Sequence, residues 1–242
     1  MMVLTVDIGN TTTSIGYFDN KKMIKVESGQ TSAIRPEYVL KFYRHVDGAI
    51  ISSVVPDKNK DFEIAIKKLH NISPIFLSPT TKLPIKPGYR AVSQLGPDRI
   101  AAMVGAVSEA GVPVCVIDMG TATTIDVIND KKEHIGGIIL PGVRTGFKAL
   151  VNNTSLLPMV SLQRVSLLGR STRECMMSGM FWGEIKRLEG LLQMIKKEVG
   201  ENLKFIMTGG EGKFFAPELK IPYSPWLTLI GLNEIYHFIK GR

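Results

Sequence analysis

The sequence predicts an α/β protein of two related domains, each a mixed sheet with flanking helices. A phrase of apolar strand, Asp-x-Gly, hydroxyl cluster and second apolar strand occurs twice, as LTVDIGNTTTSIGYFDN (4–20) and CVIDMGTATTIDVIND (115–130). Alternating helical and strand patterns follow each copy, as in α/β domains. A turn at 111–113 precedes the second copy, which places the predicted domains at 1–111 and 112–242.

The first half opens with three strand patterns and then alternates helices with strands. Apolar and β-branched runs predict strands at 2–7, 12–18 and 23–28, with a hairpin turn at 19–22. Apolar periodicity then predicts helices at 37–46, 58–70 and 96–111 and strands at 48–55 and 73–78. Pro97 suits the first turn of the third of these helices, where its missing N–H costs nothing.

The second half repeats this opening. It contains predicted strands at 113–118, 123–128, 134–140 and 203–208 and predicted helices at 143–151, 171–199 and 226–240. Ser171 and Glu174 form a capping-box pattern where the long helix begins. If the halves are repeats, Asp7 corresponds to Asp118 and Thr12 to Thr123.

Composition and charge exclude several classes of protein. The net charge is +8, but the basic residues are scattered, which favours a solvated surface or a small anionic ligand over nucleic acid. The two cysteines and four isolated histidines lack disulfide or zinc spacing. No apolar run approaches the roughly 18 residues of a membrane span, and the chain starts with a strand pattern rather than a leader peptide. These features predict a cytoplasmic protein that binds neither nucleic acid nor membrane.

Each copy of the repeated phrase suits a phosphate-binding turn. Backbone N–H groups and hydroxyls in a glycine-containing turn bind phosphate without steric hindrance. The aspartate at the end of the strand is able to hold a cation that bridges phosphate oxygens. If the two domains face each other, the two turns close on the phosphates of a nucleotide in the cleft between them.

Other nucleotide and hydrolase signatures are absent from the sequence. It contains no GxxxxGK[ST] phosphate loop, no GxGxxG after the first strand and no GxSxG elbow. A late Gly-rich stretch, Thr208 to Gly210, offers either a surface for adenine or ribose or a plain turn from strand to helix.

The motifs together resemble a known family. DIGNTTTSIGYF, ISSVVP, GPDR, DMGTATTIDV, GGIILPG, NTSLLP, GRSTRECMMSG and TGG fall in the order and spacing of the type III pantothenate kinases. The resemblance covers nearly the whole chain. It implies two domains of the ribonuclease H-like, actin-like type found in actin, sugar kinases and heat-shock ATPases, and a homodimer.

The resemblance also implies the nucleotide and cation sites. The first phosphate loop, which binds ATP, consists of Asp7, Ile8, Gly9, Asn10, Thr11, Thr12, Thr13 and Ser14. Thr121 is a further ATP contact. Asp118 corresponds to the ligand of a monovalent cation, K⁺ or NH₄⁺, and Asp7 serves a divalent cation such as Mg²⁺ through water.

The substrate site follows in the same way. Asp98 corresponds to the catalytic base of the family, and the residues implied to bind pantothenate are Tyr89, Gly96, Pro97, Asp98, Arg99 and Thr172. The residues by themselves leave alternatives open for four of these positions. Asp98 also suits stabilisation of a helix start, Arg99 either pairs with Asp98 or holds the substrate carboxylate, Tyr89 suits a core, and Thr172 suits a helix cap.

Three functions are compatible with these residues. The first is ATP-dependent phosphorylation of pantothenate to 4'-phosphopantothenate, the first step of coenzyme A synthesis. The second is a kinase of the same fold for another small alcohol. The third is a nucleotide-binding regulatory protein without kinase activity, which the presence of Asp7, Asp98, Arg99 and Asp118 disfavours.

Overall fold

The structure is a computed structural model that describes residues 1–43, 45–78 and 80–241. Its strands are β1 (Met2–Ile8), β2 (Thr12–Asp19), β3 (Lys22–Gln30), β4 (Gly48–Ser53), β5 (Ile75–Phe76), β6 (Val114–Met119), β7 (Ala122–Ile128), β8 (His134–Pro141) and β9 (Lys204–Thr208). Its α-helices are α1 (Pro36–Val39), α2 (Pro56–His70), α3 (Pro97–Ala110), α4 (Val143–Asn152), α5 (Thr172–Ser178), α6 (Glu184–Val199), α7 (Gly212–Leu219) and α8 (Leu227–Ile239).

The two sheets repeat one strand order. The first sheet has the order β3-β2-β1-β4-β5, in which β1 pairs antiparallel with β2 and parallel with β4. The second sheet has the order β8-β7-β6-β9, with β6 parallel to β9. In both sheets the strand that carries the Asp-x-Gly phrase therefore lies between its hairpin partner and a later parallel strand. The predicted α/β class with two mixed sheets and flanking helices is confirmed.

The compact units of the chain are not contiguous in sequence. The first comprises Met1–Val112, Asp126–Gly136 and Trp226–Arg242, and the second comprises Pro113–Ile125 and Gly137–Pro225. The first segment of the first unit ends one residue beyond the predicted join, and this unit also includes the β7–β8 turn and helix α8. The predicted contiguous domains, 1–111 and 112–242, assigned both of these segments to the second half.

Helix α1 is much shorter than the helix predicted at 37–46. It covers four residues and continues as a 3₁₀ turn, Leu40–Phe42, before Tyr43 turns to extended backbone. The hydroxyl of Tyr17 donates to the carbonyl oxygens of Val39 (3.3 Å) and Leu40 (3.1 Å). The two carbonyls thus accept a hydrogen bond from a buried side chain of the sheet instead of from the N–H groups of a further helical turn.

The second unit contains one helix that the sequence did not predict and one that is interrupted. Helix α7 escaped prediction because it starts at a glycine and contains Pro217, a residue that normally breaks helices. The predicted helix at 171–199 forms α5 and α6 with a π-helical turn, Gly179–Gly183, between them. No helix within residues 1–43, 45–78 and 80–241 combines the length and apolar character that crossing a membrane requires.

Candidate active site

A buried threonine, Thr31, holds the first predicted phosphate turn through hydrogen bonds. Gly9 donates its N–H to the Thr12 carbonyl (3.0 Å), which closes the turn after β1. Thr31 donates its hydroxyl to the Gly9 carbonyl (2.6 Å) and its N–H to the Thr11 carbonyl (3.0 Å). Its hydroxyl also lies 2.9 Å from that of Thr13. The turn is therefore held in one shape before any ligand arrives.

The side chains of the first turn divide into exposed and buried sets. Those of Asn10, Thr11 and Thr12 are exposed, whereas those of Ile8 and Thr13 lie in the core. Of the predicted ATP-binding stretch, Asn10 to Thr12 are thus the hydroxyl and amide groups that solvent and a ligand reach directly. The buried side chains of Ile8 and Thr13 anchor the backbone on either side of these exposed residues.

Asp7 belongs to a row of polar residues across the end of the first sheet. It is in register with Ser14 on β2 and with Ser52 on β4, and Ser14 is in register with Ser28 on β3. Residues in register share a face of the sheet. The Asp7 carboxylate therefore has hydroxyl groups on both sides, an oxygen-rich environment that suits a hard cation such as Mg²⁺.

The second predicted phosphate turn follows β6. Asp118 lies in β6, in register with Thr208 on the parallel strand β9. The Thr121 carbonyl accepts the hydroxyl of Thr145 (2.8 Å) and the N–H of Gly142 (3.1 Å), so the start of α4 fixes this turn. The side chain of Thr121 is exposed, as an ATP contact must be.

The second turn is one residue shorter than the first. Gly9 N–H bonds a carbonyl three residues on, whereas Gly120 N–H bonds the Ala122 carbonyl two residues on, at 3.0 Å. When the two Asp-x-Gly segments are aligned, each residue of β2 therefore corresponds to a residue of β7 that comes one position earlier after its glycine.

This offset corrects one predicted correspondence. Asp7 and Asp118 occupy equivalent places, each two residues before the glycine of its turn. On the returning strands, however, the buried Thr13 matches the buried Thr123. The predicted match of Thr12 with Thr123 was one residue out, because the sequence phrase does not reveal the length of the turn.

The Gly-rich stretch after β9 packs against the Asp118 turn. Gly209 has a φ of +85°, and a Cβ there would lie 2.5 Å from Asp118 Oδ1 and 2.6 Å from the Met119 backbone. The Tyr223 hydroxyl donates to the Gly209 carbonyl (3.0 Å). Burial raises the pKa of Tyr223, and the negative charge of Asp118 raises that pKa further. The stretch is a turn from strand to helix that supports the second phosphate turn.

Asp98 is the second residue of α3, beside the predicted substrate loop. Its Oδ1 accepts the N–H of Arg99 (2.8 Å), and a Cβ on Gly96 would lie 2.5 Å from the same oxygen. Burial raises the pKa of the Asp98 carboxyl, against the opposing effects of the Arg99 N–H and charge, while Asp126 raises it further. A carboxyl with a raised pKa in a partly buried position is a suitable proton acceptor.

The Arg99 side chain bonds Asp126 and Tyr89 rather than Asp98. Its Nε and Nη2 donate to the carboxylate oxygens of Asp126, at 3.0 and 2.6 Å. Its Nη1 donates to the Tyr89 hydroxyl (2.6 Å). The bidentate face of the guanidinium is thus occupied by a protein carboxylate, and Arg99 bonds Asp98 through its backbone N–H.

Thr172 does not cap the long helix, as one alternative suggested. The cap is Ser171, whose hydroxyl accepts the Glu174 N–H (3.3 Å). The Ser171 half of the predicted capping box is therefore formed, whereas the Glu174 carboxylate accepts the N–H of Arg170 (2.6 Å) rather than that of Ser171. Thr172 is exposed, in the second compact unit.

Comparison with known proteins places this arrangement in a family. A model of the type III pantothenate kinases matches residues 3–194. The chain belongs to the type III pantothenate kinase family. A type III pantothenate kinase from Persephonella marina is 34% identical over 252 residues, which cover 98% of this chain and 99% of that protein.

Two solved structures share the fold of this chain. A Campylobacter jejuni protein described as a member of the Baf family of transcriptional activators has a TM-score of 0.62 and 24% identity, over 99% of this chain and 100% of that one. A ROK family glucokinase from Streptomyces griseus, in complex with glucose and AMPPNP, has a TM-score of 0.57 and 11% identity, over 97% of this chain and 99% of that one. These likenesses establish the fold.

The site of this type III pantothenate kinase contains groups that the motifs did not reveal. Thr31 and Thr145 each donate a hydrogen bond to a carbonyl of one of the two turns. Asp126 contacts both Arg99 and His134. A signal existed for Asp126, because it is a charged residue inside a strand pattern that is otherwise apolar. Buried charges require partners, so this position could have been searched for one.

Replacing Gly209 by Ala is expected to destabilise this pantothenate kinase through the second phosphate turn. The positive φ and the overlap with the Asp118 turn should together cost roughly 2–3 kcal/mol. Gly210→Ala is the matched control, since a Cβ there meets nothing within 4 Å and its φ is ordinary. Thermal unfolding without nucleotide measures both. Equal melting temperatures would contradict the packing of Gly209 on this turn.

Proposed function

We propose that the protein transfers the γ-phosphate of ATP to the primary hydroxyl of pantothenate, which gives 4'-phosphopantothenate and ADP and opens coenzyme A synthesis. The observation that carries the proposal is membership of the type III pantothenate kinases along nearly the whole chain. The carboxyl of Asp98, with its raised pKa at the start of α3, supports it.

Each turn has a part in binding the nucleotide. The exposed side chains and N–H groups of Asn10 to Thr12 contact the phosphates of ATP. The assignment of Thr121, in the second unit, as a further ATP contact remains a prediction. Because hydrogen bonds from neighbouring residues already hold each turn in place, the turns lose little conformational entropy when ATP binds. Phosphoryl transfer depends mainly on such positioning and on neutralisation of charge.

Asp98 accepts the proton of the substrate hydroxyl. As the alcohol oxygen forms its bond to the γ-phosphorus, the bond from that phosphorus to the β–γ bridging oxygen breaks and ADP leaves. The hydroxyl proton passes to the Asp98 carboxylate. Gly96 leaves room for this carboxylate beside the substrate loop.

The oxygen donors near the two turns suit hard cations. Asp7, with Ser14 and Ser52 in register, would hold Mg²⁺ through water, and Asp118 would hold K⁺ or NH₄⁺. Such cations neutralise phosphate charge when bound. The homodimer and the cytoplasmic location predicted from the sequence remain predictions.

Turnover of pantothenate should require both a divalent and a monovalent cation. ADP release is measured with pantothenate, glucose and glycerol as acceptors, in potassium and in sodium buffer, with and without EDTA. We expect turnover with pantothenate, its loss in EDTA, and a several-fold decrease when sodium replaces potassium. Asp118→Asn should remove the preference for potassium.

Each contrary outcome has a distinct meaning. Equal turnover of wild type in sodium and potassium would contradict the assignment of Asp118. Turnover with another alcohol but not with pantothenate would favour the kinase of different specificity. Binding of ATP without turnover of any acceptor would favour the regulatory protein.

A further inference from the structure

A buried ion pair holds the predicted substrate loop. Asp126 on β7 is 1% exposed and Arg99 is 8% exposed. Two parallel hydrogen bonds join them, from Nε to Oδ2 (3.0 Å) and from Nη2 to Oδ1 (2.6 Å). This bidentate geometry fixes the plane of the guanidinium as well as its position. Asp126 therefore determines where the remaining nitrogen of Arg99 points.

That remaining nitrogen sets the direction of the Tyr89 hydroxyl. Arg99 Nη1 lies 2.6 Å from Tyr89 Oη, and a guanidinium only donates hydrogen bonds. The Tyr89 oxygen is thus the acceptor, and its own O–H is directed away from Arg99. A hydroxyl that accepts a hydrogen bond from a guanidinium is a strong donor, and it is therefore suited to bind an anionic group.

His134 fixes the ring of Tyr89 from the other side. The two rings stack with centroids 5.4 Å apart and an angle of 28°. The His134 side chain is fully buried, and its Nε2 lies 2.9 Å from Asp126 Oδ1, within ion-pair distance but not aligned as a hydrogen bond. Asp126 and His134 therefore contact each other and hold Arg99 and Tyr89 together.

The backbone that leads to Tyr89 is also attached to the β7–β8 turn. Lys86 donates its N–H to the Lys132 carbonyl (2.9 Å), and His134 donates its N–H to the Lys86 carbonyl (2.9 Å). A Cβ on Gly88 would overlap the His134 carbonyl oxygen, so only glycine permits this approach. Side chains and backbone thus both place Tyr89 relative to the turn.

We propose that Asp126 is a positioning residue for the anionic end of the substrate. It fixes Arg99, which directs the Tyr89 hydroxyl toward the carboxylate of pantothenate, and His134 supports the ring. This inference rests on the proposed function. The carboxylate is the one anionic group of pantothenate and lies at the opposite end from the hydroxyl that receives phosphate. Asp126 accordingly serves substrate binding, whereas Asp98 serves proton transfer.

The Asp126→Asn variant should raise KM for pantothenate about tenfold or more, with KM for ATP nearly unchanged. Asn keeps the size of the side chain but turns an N–H₂ group toward the guanidinium, which releases Arg99 and Tyr89. Glu133→Gln is the matched control, because it removes one negative charge from the same turn and weakens the solvent-accessible pair with Lys86. The amide oxygen of Gln still accepts the side-chain N–H of Asn129. A purely structural role would lower the active fraction and leave both KM values unchanged.

A second substrate measures how much the carboxylate of pantothenate contributes to recognition. In the alcohol analogue of pantothenate, a hydroxymethyl group replaces the carboxylate. Wild type should prefer the acid in kcat/KM, and Asp126→Asn should reduce that preference toward one. Tyr89→Phe provides the same test with the buried ion pair and the ring stacking retained, should the first variant not fold.

The outcomes separate the two proposals. Absence of pantothenate turnover by wild type would overturn the proposed function. An active wild type, together with an unchanged acid-to-alcohol preference in the folded variants, would overturn the positioning role alone. An equal loss with Glu133→Gln would overturn the specific assignment of Asp126.

Discussion

Replacing Asp98 by Asn is expected to lower kcat for pantothenate by roughly 10²–10⁴, the usual contribution of a positioned base. Asn has the same size and still accepts the Arg99 N–H, so the start of α3 is retained. It is unable to take the proton of the alcohol. Measurement of kcat, both KM values and the melting temperature on one preparation shows whether chemistry alone is lost.

Helix α2 offers a matched control for this variant. It begins with Pro56 and Asp57, as α3 begins with Pro97 and Asp98, but Asp57 is exposed. If Asp98 only stabilises a helix start, both Asp→Asn changes should cost at most about 1 kcal/mol and leave turnover intact. Near-normal kcat in Asp98→Asn would exclude the role of Asp98 as base.

The raised pKa of Asp98 gives this result a pH dependence. The carboxylate is the active form, so kcat/KM should fall as the pH drops through the raised pKa. The same shift acts oppositely on stability. A carboxyl whose folded pKa lies above its unfolded value stabilises the fold at pH values below the unfolded pKa, and this contribution is lost as the pH rises through the folded one. At neutral pH, Asp98→Asn should therefore melt at the same temperature as wild type or higher.

The repeated phrase predicted much of the fold because its signals are local. Alternation of apolar residues and Asp-x-Gly turns depend on neighbouring residues, so both β-meanders and both Asp-x-Gly turns lie where expected. The early end of α1 was not predicted, because it depends on a long-range hydrogen bond from the Tyr17 hydroxyl to the Leu40 carbonyl. Turn length, which sets the match of Thr13 with Thr123, was equally hidden from the pattern.

The parts of the site that the sequence did not predict depend on contacts between distant residues. Arg99 and Asp126 are separated by 27 positions and meet only in the folded chain. The family motifs indicated Arg99 but not its partner. Likewise, α8 is the last helix in sequence, yet it belongs to the first compact unit. The signal for that placement was a glycine in an otherwise apolar helical pattern, which indicates close approach of another backbone.

That glycine, Gly231, is the site of the second large effect. A Cβ on it would overlap the Ala101 carbonyl oxygen in α3, and a Cβ on Gly105 would overlap the Leu227 carbonyl oxygen in α8. The two helices therefore meet backbone to backbone, through glycines on both sides. Helix α3 carries Asp98 and Arg99 in its first turn, so this contact also holds the substrate loop.

Gly231→Ala is expected to destabilise the protein by roughly 3 kcal/mol, the upper end for an overpacked core, because the added methyl forces two backbones apart. The melting temperature should fall by roughly 6–12 °C for a chain of this size. Displacement of α3 should move Asp98 as well, so kcat should decrease even well below the melting temperature.

Gly190→Ala in α6 is the control that separates packing from helix propensity. A Cβ at Gly190 meets nothing within 4 Å, and the residue is exposed. Without a steric conflict, Ala in a helix is more stable than Gly by about 0.5–1 kcal/mol. The two Gly→Ala changes should therefore shift the melting temperature in opposite directions. A stabilised Gly231→Ala variant would contradict the close contact of α8 with α3, and with it the argument that α8 positions Asp98.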